Sequence, residues 1–346
     1  MTQDFEFRTD DRLLVVVPHP DDEVLATGGL IQCALRAGVP VCVVVATDGD
    51  NNPWPQRWME RRWRIDAAAR RRWGARRRDE ARQALMRLGV ESGAMHFLGW
   101  PDQGLTALLM RDEQTDGVLA AAVDRFSPTV IALPALGDRH PDHSALHVML
   151  EVALRRQSRS GYRRLEYLVH GEACGFVLAL DADQREGKRL ALLAHATQLS
   201  LSRRRMQGLC ERSERFAATR RVDLPAQTRD LRGRLAAPAG LHRHRRHELL
   251  LILGYAGRVD RLRVPLRRGA ATMTWTAEPG GSRSVKVGIA NVAGGIEVSI
   301  TSLEPLRFTY AKRERLGHRV LIYDAQGWCD LSALACADSG GKSPEG

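Results

Sequence analysis

Residues 15–29, VVVPHPDDEVLATGG, decide the fold. An apolar run ends abruptly in a histidine, a proline and three acids, and helical spacing begins at once. LLVVV (13–17) has no polar position in either phase, which predicts a strand buried on both faces. Over 24–37 (VLATGGLIQCALRA), Val24, Leu25, Leu30, Ile31 and Leu35 fall on one side of a helix, and Gly38 stops it. VPVCVVVA (39–46) is a second buried strand. Strand, helix, strand at this spacing is a β-α-β unit, and such units build parallel sheets covered by helices on both faces.

The same alternation continues outward. MHFLG (95–99) and TVIALP (129–134) predict two more strands, and 163–171 and 174–180 another two. Helices are expected over 64–89, 116–126, 144–156, 184–198 and 202–215. The expected fold is α/β, a Rossmann-like, mostly parallel sheet sandwiched by helices over residues 1–220. Beyond 220 the pattern changes. Short β-like runs (LLLILGYA, RLRVPL, ATMTWTA, SVKVGIANV, IEVSITS, LRFTYAK, HRVLIYD) follow one another between turn residues. They predict a smaller β-rich C-terminal domain over 221–335, a sandwich or barrel, and 336–346 (ADSGGKSPEG and its neighbour) reads as a disordered tail.

The chain of 346 residues carries a net charge of +11, with only four lysines among 52 basic residues. That charge favours anionic partners without choosing among them. No apolar run reaches the roughly 18–20 residues that span a bilayer. The first residues, MTQDFEFRTDDR, lack the basic and apolar regions of a signal peptide, so a cytoplasmic location is expected. Six scattered cysteines without a C-x-x-C pair predict reduced, buried thiols rather than a disulfide framework. There is no G-x-S-x-G elbow and no dinucleotide fingerprint, which leaves serine hydrolases and nicotinamide enzymes without support.

In an open parallel sheet, ligands bind at the carboxyl ends of the strands. HPDDE leaves the strand at 13–17 there, TDGD (47–50) leaves the strand at 39–46, and HPDH (140–143) follows the strand at 129–134. Clustered His and Asp without cysteine suit a hard or borderline divalent metal, and a catalytic zinc takes three protein ligands with one position open. His19, Asp22 and one histidine of HPDH give such a set. Asp21 is then left over to act as a base, and His140 to serve a developing oxyanion or a leaving group.

PHPDDE (18–23) and HPDH (140–143) resemble the two signatures of the PIG-L/LmbE-like family of zinc-dependent N-acetylglucosaminyl de-N-acetylases. TDG (47–49), RRDEARQALMRLGV (77–90), FLGWPDQGL (97–105) and KRLALLAHATQ (188–198) resemble further stretches in the same order, and the likeness spans about 12–216. The resemblance implies that His19, Asp22 and His143 bind Zn2+ or another divalent metal and that Asp21 is the general base. His140 would stabilise the oxyanion or protonate the leaving amine, Asp142 would orient and tune it, and Arg77 matches an arginine that touches substrate in some members. The implied reaction removes acetate from an N-acetylglucosaminyl conjugate and leaves a free amine. The positive charge leans towards an anionic or polysaccharide-linked amino sugar; nucleic acid is not an expected partner. The rival readings are an amidase that releases a larger acyl group, and a basic glycan- or nucleic-acid-binding module with a structural metal.

There are departures. Asp138 stands where some members have a tyrosine, which removes one oxyanion donor. The stretch 50–76 carries Trp54, Trp58, Trp63 and Trp73 among arginines. It reads either as a lid that stacks on sugar rings or as an amphipathic helix that packs its indoles into the core.

Overall fold

The computed structural model describes residues 5–111, 114–156, 161–171, 175–219, 221, 223–236, 247–266, 272–277, 285–315 and 327–333. The contacts divide the chain into two compact units. One is Met1–Leu109 with Glu113–Arg220, and the other is Arg221–Gly346 with Met110–Asp112.

In the first unit the elements run β1 (Leu13–Val17), α1 (Asp22–Leu25), α2 (Gly28–Arg36), β2 (Val41–Thr47), α3 (Pro53–Glu60), α4 (Ala67–Arg87), β3 (Met95–Trp100), α5 (Leu105–Leu109), α6 (Gln114–Phe126), β4 (Val130–Pro134), α7 (Pro141–Arg156), β5 (Arg163–Tyr167), β6 (Phe176–Leu178), α8 (Ala182–Leu192), α9 (Ala196–Cys210) and β7 (Glu214–Thr219). They form one seven-stranded sheet in the order β3-β2-β1-β4-β5-β7-β6. The first five strands are mutually parallel, and β7 runs antiparallel between β5 and β6. β1, β2 and β4 are buried at every position, as their uninterrupted apolar sequences require. The order places β1 between β2 and β4, so the chain reverses direction across the sheet where β1 and β4 meet. That is the crevice in which doubly wound sheets hold ligands.

The expected α/β fold is observed, with local differences. The helix expected to run to 215 ends at Cys210, and Glu214–Thr219 is a strand. ERFAAT alternates too weakly to announce itself, and its strand form comes from pairing with β5 and β6 on both sides. Its first residue explains part of its placement. Glu214 is buried and accepts the N–H groups of Gly29 and Leu30 at the start of α2, at 2.7 and 2.9 Å. Lys188 of α8, also buried, meets the same carboxylate at 2.7 Å and donates to the carbonyl of Leu25. A carboxylate at a helix N-terminus and a lysine that neutralises it fix α2 behind the HPDDE loop. Lys188→Met leaves that carboxylate buried without its counter-charge, and urea unfolding should show a loss of about 3–5 kcal/mol.

In the second unit, β8 (Asp230–Ala236), β9 (His247–Tyr255), β10 (Arg258–Leu266), β11 (Thr272–Ala277), β12 (Val285–Val292), β13 (Gly295–Ser302), β14 (Phe308–Arg315) and β15 (Cys329–Asp330) form two antiparallel sheets, β10-β9-β14-β15 and β11-β12-β13-β8. Leu249, Leu251 and Leu253 of one sheet and Val285, Val287, Val298 and Ile300 of the other share a single core. This is a β-sandwich. β8 precedes the first of the expected β-like runs; its alternate residues Leu231, Gly233 and Leu235 are the buried ones. The strand expected at 318–324 and the tail at 336–346 lie outside the described residues. Cys33, Cys42, Cys210 and Cys329 are free thiols, and burial pushes those of Cys42 and Cys210 up to about 11.

Candidate metal centre

The HPDDE loop is tied to the neighbouring strand before it reaches the site. Both the N–H and the hydroxyl of Thr47, at the end of β2, donate to the carbonyl of Pro18 at 2.9 Å. Proline at 18 keeps this acceptor and needs no donor of its own. Asp21 follows with φ +127°, a conformation that side chains other than glycine rarely adopt. The surroundings impose it. Its N–H donates to Glu23 Oε2 at 2.8 Å, and Glu23 Oε1 meets His195 Nε2 at 2.8 Å. Strain of this kind, held by surrounding bonds, is characteristic of functional loops.

His19, Asp22 and His143 meet at one point. Asp22 Oδ2 lies 3.1 Å from His19 Nδ1 and 3.3 Å from His143 Nε2. His140 joins them, with ring nitrogens of the three histidines within 4.8 Å of one another. All four side chains are buried or nearly so. The carboxylates Asp102 and Asp142 approach His19 Nε2 at 3.3 and 3.4 Å, and Asp138 approaches His143 Nδ1 at 3.1 Å.

The charges of these groups depend on one another. Burial disfavours the Asp22 carboxylate, but the imidazoles of His143 and His19 outweigh it and hold the group well below the usual carboxylate range. Burial likewise opposes protonation of His143, yet Asp138 and Asp22 push it up to about 9. His19 is raised in the same way by Asp102, Asp142 and Asp22 against its burial. His140 goes the other way: burial, then repulsion from His19 and His143, lowers it to about 2. It is therefore neutral at ordinary pH. The backbone N–H of Asp142 donates to its Nδ1 at 3.2 Å, which leaves the ring proton on Nε2. Asp21 is raised to about 7, first by burial and then by Asp22, with Arg77 opposing.

The donor set suits a divalent cation. Zinc bonds of about 2.0–2.1 Å at a tetrahedral angle separate neighbouring donor atoms by roughly 3.3 Å, close to the observed spacings. Neither ring nitrogen of the fully buried His143 has a hydrogen-bond partner among the described residues, although each faces a carboxylate. Four buried carboxylates, Asp22, Asp102, Asp138 and Asp142, surround two imidazoles. A cation, or a proton on each imidazole, must balance them.

Distant residues set the surroundings of Arg77 and Asp142. Arg77 is buried beside Asp21. It is 4% exposed, donates to the carbonyls of Gly49 and Pro20, and stands 3.3 Å from Asp21 Oδ2. Gly49, at φ +59°, makes this possible, because a Cβ there would collide with the guanidinium. The carboxylate of Asp142 is directed to His19 rather than to His140. It also accepts the N–H groups of Gln103 and Leu105, so it fastens the 101–105 turn to the site, while its backbone serves His140.

Other residues had passed without a role. Asp138, which cannot donate as a tyrosine would, has another task here. It accepts the N–H groups of His140, Val169 and His170 and braces His143, so it organises the second loop from three sides. Asp102 touches His19 from the turn after β3 and accepts the N–H of Asn51. Glu23 and His195 form the bracket under Asp21. Glu23, Asp102 and His195 all stood inside recognisable stretches, but their partners are far away in sequence.

The chain is similar to known proteins over the region that carries these residues. The PIG-L family profile, described as GlcNAc-PI de-N-acetylase, matches residues 14–154, which include both histidine-aspartate loops. The 1D-myo-inositol 2-acetamido-2-deoxy-alpha-D-glucopyranoside deacetylase of Mycobacterium sp. (strain KMS) is 32% identical over 236 residues, spanning 55% of this chain and 75% of that protein. The protein of the same name from Mycobacteroides abscessus is 30% identical over 239 residues, spanning 56% and 84%. Among solved structures, N,N'-diacetylchitobiose deacetylase from Pyrococcus horikoshii aligns with a TM-score of 0.47 at 19% identity, over 60% of this chain and 84% of that one. With three quarters of a relative's length matched at this identity, and with the loops that carry the histidines and aspartates inside the matched region, the chain belongs to the PIG-L family of de-N-acetylases.

Proposed function

We propose that this protein hydrolyses the acetamide of an N-acetylglucosaminyl conjugate, with release of acetate and a free amine, in a reaction that depends on a divalent metal, zinc being the best fit. The observation that carries the reading is the convergence of His19, His143 and Asp22 on one point, with Asp21 held in a strained conformation on the adjacent residue. The relatives' names supply the substrate class.

His19, Asp22 and His143 would hold the cation. When bound, it supplies polarisation of the amide carbonyl and a more acidic water. Asp21 takes the proton of the attacking water as the new C–O bond forms. Its burial makes it a base matched to neutral pH, and Arg77 together with the Glu23–His195 bracket keeps it aimed. His140, neutral with its proton on Nε2, donates to the carbonyl oxygen as negative charge develops there. The C–N bond then breaks, and the proton held by Asp21 passes to the departing nitrogen. The products are a carboxylate and an amine.

The test is to incubate the metal-loaded protein with N-acetylglucosaminyl-inositol, N-acetylglucosamine oligomers and longer N-acyl analogues, and to measure amine and acid release. Acetate release from at least one amino-sugar conjugate supports the proposal. Release only from longer acyl groups would replace it with the amidase reading, and no release from any would overturn it. Asp138→Asn should weaken the metal by about 10–100-fold without abolishing the site, since Asp138 orients His143 from behind. Competition with a chelating dye reads that affinity directly.

A further inference from the structure

Among the described residues of the first unit, the most exposed large apolar side chains gather on α3 and just beyond its end. Trp54, Trp58 and Trp63 are 58%, 67% and 77% exposed, whereas Trp73, in the same stretch, is buried in the core. Of the two readings of this stretch, core packing therefore holds for Trp73 alone. Trp54 and Trp58 are four residues apart on α3 and share a face. Trp63 joins them through Arg57, whose guanidinium lies 5.0 Å from the Trp54 ring and 5.2 Å from the Trp63 ring, and whose Nε donates to the Trp63 carbonyl. The cluster is thus ordered before anything binds. Residues 51–72 hold seven arginines and only two acids. Both acids are engaged: Glu60 lies 3.6 Å from Arg72, and Asp66 caps α4.

We propose that this indole–guanidinium face of α3 is a docking surface for an anionic phospholipid membrane. Indoles settle at the headgroup level, where an apolar ring meets a polar boundary, and arginines beside them meet lipid phosphates in the same plane. An acidic glycan shares the negative charge, but the geometry suits it less. Sugar rings stack on open indole faces, and Arg57 already covers one face of both Trp54 and Trp63. No helix among the described residues is long and apolar enough to cross a membrane, so the contact is peripheral. The surface adjoins the metal centre, because Asn51, just before α3, is bonded to Asp102, which touches His19.

The test is co-sedimentation of the whole protein with vesicles of phosphatidylcholine alone and of phosphatidylcholine with about 30% phosphatidylglycerol. The expected result is binding to the anionic vesicles at least about tenfold tighter than to the neutral ones, and weaker at high salt. The variant Trp58→Ala/Trp63→Ala, both exposed and outside the reacting groups, should lose about tenfold in that binding while keeping the parent's thermal melting and metal content. The proposal fails if anionic vesicles are not preferred. It fails equally if the double variant binds as well as the parent, which would assign the attraction to overall charge. Retention on heparin without vesicle binding would make the face a glycan surface instead.

Discussion

Asp21→Asn lowers kcat by about 10²–10⁴-fold and leaves the metal content at the parental level. Asparagine is the informative substitution because it keeps the shape of the side chain and tolerates positive φ better than alanine does. It retains hydrogen bonding to Arg77 but cannot take a proton from water. The expected pH profile follows from the same group. Asp21 must be ionised to act, and its raised pKa, about 7 in the absence of a cation, sets the upper limit for the acid limb of kcat/KM. A nearby divalent cation favours the carboxylate, so the midpoint in the loaded enzyme lies at or below that value. Activity therefore rises with pH through this limb and is lost as Asp21 takes up its proton. Steady-state rates between pH 4 and 9, with metal analysis of both proteins, check it. A variant with parental kcat would remove Asp21 from the reaction.

The second large effect is expected at the other end of the site. His143→Ala should lose the bound divalent ion and with it about 10³-fold or more of the rate, because several kcal/mol of transition-state stabilisation depend on that ion. The protein should remain folded. Asp138 keeps three backbone N–H partners when the imidazole is gone, so the loop that carries residue 143 stays in place. His19→Ala should behave alike, although the two histidines come from loops more than 120 residues apart. Metal content by elemental analysis beside a thermal melt distinguishes loss of a ligand from loss of the fold. An ion retained in both variants would move the metal elsewhere, and the cluster of Asp138, His143 and His170 or that of His19, Asp102 and Asp142 would then have to be reconsidered.

The parallel core was legible in the chain because strands buried on both faces allow no polar residue, and LLVVV, VCVVV and VIALP have none. The two loops at their carboxyl ends were legible for the complementary reason: HPDDE and HPDH together carry seven charged or imidazole groups, which do not follow buried strands without a use. Residue type and position on the sheet therefore pointed to His19, Asp22 and one histidine of HPDH as ligand candidates and to Asp21 as the candidate base, and the family resemblance singled out His143.

What the tertiary structure decided is the second layer. Arg77 was singled out only by the family resemblance, and the close passage of α4 over Gly49 is what turns it inward onto Asp21. Asp142 was paired with its near neighbour His140, but the turn at 101–105 captures its carboxylate first. Asp138, Asp102, Glu23 and His195 gain their roles from partners that local pattern does not encode. β7 is a strand because β5 and β6 pair with it on both sides, despite a weak pattern of its own. A short sequence motif fixes which groups a loop delivers. Which of those groups become charged, aimed or braced depends on what the rest of the chain packs against them, and in a buried site that packing sets both the dielectric and the hydrogen bonds.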